Sequence, residues 1–112
     1  FCLHVAEQLE KESGWKVEVI DIRSLIPLDK EAIFESVKKT SKALVVHEDK
    51  VFSGFGAELA AMIGTDMFRY LDGPVQRVGS TFTPVCFNPI LEKEILPDEA
   101  KIYEAAKKLL EY

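Results

Sequence analysis

Excess positive charge, cysteine and long apolar runs are what this 112-residue chain has little of. Nineteen acidic side chains against 14 Lys and Arg leave a net charge of −5. A phosphate backbone is bound by clustered cations, so the composition argues against nucleic acid as a partner. The lysines are dispersed or stand near helix ends, where they suit the helix dipole. No apolar run approaches the roughly 20 residues that cross a bilayer as a helix, so no membrane partner is expected. The two cysteines, Cys2 and Cys86, have neither metal-ligand spacing nor the numbers for a disulfide framework. They read as two reduced thiols in a cytosol-like compartment. Cys86 as a nucleophile would need a histidine base within reach, and the sequence supplies none. The opening residues carry no basic n-region with a cleavage site, so they are not expected to be a signal peptide. Phe1 stands where Met would, and residues 1–6 already look like the inside of a helix, so a fragment of a longer chain is expected.

What is present is ordinary globular material. Apolar residues make up 47% and charged residues 29%, enough for one domain with one core over residues 1–112. Cys2, Val5, Ala6 and Leu9 share one face of a first helix, which Gly14 stops. Trp15 to Ile20 alternates and then runs apolar, predicting a strand. Pro27 bars easy continuation. Asp29 caps the next helix, with Leu28 and Ile33 as a hydrophobic staple. Ile33, Phe34 and Val37 form its buried face, and Lys38, Lys39 and Lys42 crowd its C-terminal end.

Ala43 to His47 predicts a central buried strand. A glycine turn at 54–56 then opens a helix striped by Leu59, Met62, Ile63, Met67, Tyr70 and Leu71. Val75 to Val78 is a third strand, residues 79–89 an extended loop, and Pro89 begins a short helix. Asp98 caps a last helix with Ile102, Ala105, Ala106, Leu109 and Leu110 on one face. Helices alternating with apolar strands predict an α/β fold, a three-layer α/β/α sandwich on a mostly parallel sheet. Three strands are few for so many helices, and no strand feeds the first helix. The first strand is therefore expected to be missing.

Chemistry, if any, is expected where the central strand ends in His47-Glu48-Asp49, because polar residues at strand carboxyl ends meet ligands in such folds. His47 and Glu48 are the only, and weak, catalytic candidates, since neighbours on an extended segment point apart. Ser53, Gly54, Gly56 and Glu58 are anion or interface candidates. Glycines before a helix bare its first N–H groups, but they also allow close packing. SGFGAE matches neither the dinucleotide fingerprint nor the P-loop. Asp21 and Arg23 read as a local or interface pair. Phe82 and Phe87 are large apolar groups on a loop, expected to fold back or to form a contact surface. No metal-binding, catalytic or cofactor-binding set emerges. A stand-alone flavodoxin-like or nucleotide- or anion-binding module is the alternative reading.

VEVIDIRSLIPLD, ALVVHED with SGFGAELAAMI, and DGPVQRVGSTFTPVCFNPILEKEILP follow one another in register. Together they resemble the C-terminal domain shared by transketolases and 2-oxo acid dehydrogenase decarboxylases. The likeness is nearest to the β subunit of the branched-chain (2-oxoisovalerate) enzyme. The resemblance implies a full enzyme that uses thiamin diphosphate and magnesium and passes an acyl group to a lipoyl arm. It implies that this domain gives subunit contacts and docking, with no cofactor held by the fragment. The implied partners are an α subunit or upstream domains, a sister β domain and the dihydrolipoyl acyltransferase core. The implied location is the bacterial cytoplasm, or the mitochondrial matrix in a eukaryote. Ser53 stands where the family often has glycine. Phe82 and Cys86 depart from its Asp-Thr-Pro-x-Pro loop.

Overall fold

The fold is seen in a computed structural model that describes residues 1–23, 28–81 and 88–112. Its elements are helix α1 (Cys2–Ser13), helix α2 (Lys30–Thr40), strand β1 (Leu44–Lys50), helix α3 (Phe55–Asp66), a 3₁₀ turn (Phe68–Tyr70), strand β2 (Gln76–Ser80), helix α4 (Pro89–Ile95) and helix α5 (Glu99–Leu110). The sequence signals that set these boundaries act as expected. Gly14 takes a left-handed φ of 73° after α1. The Asp29 carboxylate accepts from Ala32 N at 3.1 Å, and Asp98 accepts from Lys101 N at 2.9 Å. Each satisfies an amide that the first helical turn leaves without a partner.

β1 and β2 pair in parallel, in register from Leu44–Gln76 to Val46–Val78. Alternation of side chains along β1 divides the interior in two. Val45 joins Ile33 and Val37 of α2 and Leu59 and Ile63 of α3 on one face. Leu44 and Val46 join Val5 and Leu9 of α1 and Ile102 of α5 on the other. The result is three layers, as the sequence predicts, and the two apolar clusters put α2 and α3 on one face and α1 and α5 on the other. Leu28 and Ile33 lie in the same apolar cluster, as the staple requires.

Two expectations need correcting. Trp15–Ile20 is not a strand: it pairs with nothing in the sheet, which has two strands among the described residues. Trp15 is 50% exposed and Val17 42%. An alternating segment becomes a strand only when a neighbour takes its backbone hydrogen bonds, and here none does. The α3 stripe also stops early. Asp66 ends the helix and the chain tightens into the 3₁₀ turn, which leaves Tyr70 exposed. Shorter shifts are that β1 runs on to Lys50 and that β2 takes Gly79 and Ser80 from the expected loop. Pro27 and the loop residues Phe82, Cys86 and Phe87 lie outside the described residues.

Candidate functional site

The carboxyl end of β1 is irregular in a specific way. After Val46–Val78 the next paired residues are Lys50 and Ser80. His47, Glu48 and Asp49 thus stand opposite Gly79 alone, as a bulge. Bulges re-aim side chains, and they recur beside functional sites. This one is pinned on both sides. The Ser80 hydroxyl, buried, donates to the Glu48 carbonyl. Val51 N donates to Ser80 O at 3.0 Å, and the Arg77 guanidinium donates to Val51 O at 2.7 Å.

The bulge turns His47 inward. Its ring lies against three glycines, Gly54, Gly56 and Gly79. A Cβ on Gly56 would collide with Nε2 and Cδ2 of the ring. One on Gly54 would strike the Lys50 carbonyl oxygen and stand 3.0 Å from the ring's Cε1. One on Gly79 would stand 3.0 Å from Cε1 and Nε2 and 2.8 Å from the Asp49 carbonyl. Both ring nitrogens are buried, with no hydrogen-bond partner among the described residues. Glu48 and Asp49 point to solvent, so His47 and Glu48 are not brought together. The glycine turn therefore seats an imidazole and a carbonyl oxygen. That filling explains the glycines by packing.

The remaining candidates are spread around this point. Ser53 holds a left-handed φ of 61°, the conformation a glycine would take without strain. Gly54 is the N-cap of α3, with no side chain capping the helix. Glu58 stands exposed in the first turn of α3, where its charge suits the dipole. Asp21 and Arg23 approach to 3.7 Å on the surface. Phe82 and Phe87 lie outside the described residues.

Sequence reasoning missed two features. One is the Ser80 clamp on the bulge, since a serine ending a strand carries no such signal. The other is an apolar hollow of about 400 Å³ at the far end of α3, lined by Ala60, Gly64, Phe68, Leu71 and Val75 among others. Among the described residues no three His, Cys, Asp or Glu side chains are grouped so as to hold a metal ion. With the glycine turn filled, the described residues do not fit thiamin diphosphate and magnesium.

Comparison with known proteins supplies what this geometry does not. The sequence profile of the transketolase C-terminal domain matches residues 1–102. A pyruvate dehydrogenase E1 component subunit beta of Rickettsia felis is 43% identical over 95 residues, which is 85% of this chain and 29% of that subunit. A 2-oxoisovalerate dehydrogenase subunit beta of Pseudomonas aeruginosa is 38% identical over 109 residues, covering 97% of this chain and 31% of that one. A solved split-gene transketolase, described as an inactive beta4 tetramer, superimposes with a TM-score of 0.77. It is 28% identical, and the match covers 96% of this chain and 33% of that one. The chain thus spans less than a third of the length of these curated relatives.

Proposed function

The chain belongs to the transketolase C-terminal domain family, and on that premise we propose that it is the C-terminal assembly domain of a longer thiamin-dependent 2-oxo acid dehydrogenase β chain. In this reading the domain presses against an α subunit or upstream domains, a sister β domain and the acyltransferase core. Thiamin diphosphate and magnesium, which supply decarboxylation chemistry in the whole enzyme, are held elsewhere. The observation that carries the reading is the match over residues 1–102 by a chain with under a third of its relatives' length. It is supported by a strand end whose His47 is packed against glycine backbone and whose Glu48 and Asp49 are exposed. Ser53, Glu58, Phe82 and Phe87 are proposed as contact residues, with the buried Gly54 and Gly56 shaping the turn that presents the first two.

Branched-chain 2-oxo acids such as 2-oxoisovalerate are the substrate class proposed for the whole enzyme, on the His47-Glu48 pair at the end of β1. Turnover of 2-oxoisovalerate against pyruvate by the full enzyme decides between the two.

Titration calorimetry tests the assembly reading. The 112-residue chain is expected to give no heat with thiamin diphosphate and magnesium and no decarboxylation of either 2-oxo acid. Saturable cofactor binding at micromolar concentration would overturn it.

A further inference from the structure

We draw no further inference here: the strongest candidate, the apolar hollow at the far end of α3 between Gly64, Phe68 and Val75, carries nothing because nothing in the structure shows what covers it.

Discussion

His47 and Gly56 show how one side chain dictates the identity of another. A methyl group on Gly56 has no space while the imidazole is there. Overpacking of this kind costs about 1–3 kcal/mol. Gly56→Ala is therefore expected to destabilise the chain by that amount in urea unfolding. His47→Ala should relieve the clash, so that the two changes couple by more than about 1 kcal/mol in a double-mutant cycle. Additivity would show that the ring is not the obstacle. Ser53 is the converse case, a residue with a side chain in a left-handed conformation. Such backbone costs a non-glycine residue about 1–2 kcal/mol, and glycine's greater unfolded freedom offsets part of that. Ser53→Gly is expected to raise stability by up to about 1 kcal/mol, read as a higher urea midpoint at unchanged slope.

At the level of elements, α1 and α5 are joined by a titrating contact as well as by apolar packing. The Tyr103 hydroxyl donates to the Glu12 carboxylate. That bond, with a smaller contribution from Gln8, holds Glu12 below its ordinary 4.5. The same bond raises Tyr103 above its ordinary 10.0. A depressed carboxylate contributes stability above its unfolded value and loses it as pH falls through the folded one. A raised phenol contributes below its unfolded value and loses it as pH rises through the folded one. The contribution is thus present across the neutral range and lost at both ends. Tyr103→Phe is expected to lower Tm between about pH 5 and pH 9 and to match the parent chain as pH falls well below 4.5. A constant gap down to acid pH would assign the loss to packing. Lys101 acts between elements too: its ammonium donates to the carbonyls of Glu94 at 2.8 Å and Leu96 at 2.7 Å, which closes the end of α4 against α5.

Over the whole molecule, two apolar clusters face away from each other across a sheet that has two strands among the described residues. Leu9, 1% exposed, anchors one, and Ile63, 4% exposed, anchors the other. Replacing either with Ala is expected to cost about 2–5 kcal/mol. The pair should add within about 0.5 kcal/mol because they share no neighbours. Marked non-additivity in denaturant unfolding would mean that the sheet transmits strain between the layers.

The sequence by itself determined the helices, their caps, the three-layer α/β class and the family. Those features are written in local spacing: Asp29 and Asp98 before their helices, Gly14 after one, and the apolar stripes of α1, α2 and α5. The glycine turn at 54–56 was legible as a place where close approach matters. What approached it was not, because the bulge that turns His47 inward depends on Ser80 and Gly79 in another strand. Tertiary structure also decided the fate of Trp15–Ile20. Its alternation is that of a strand, yet strand hydrogen bonds are made between segments, so no local pattern can supply the missing neighbour.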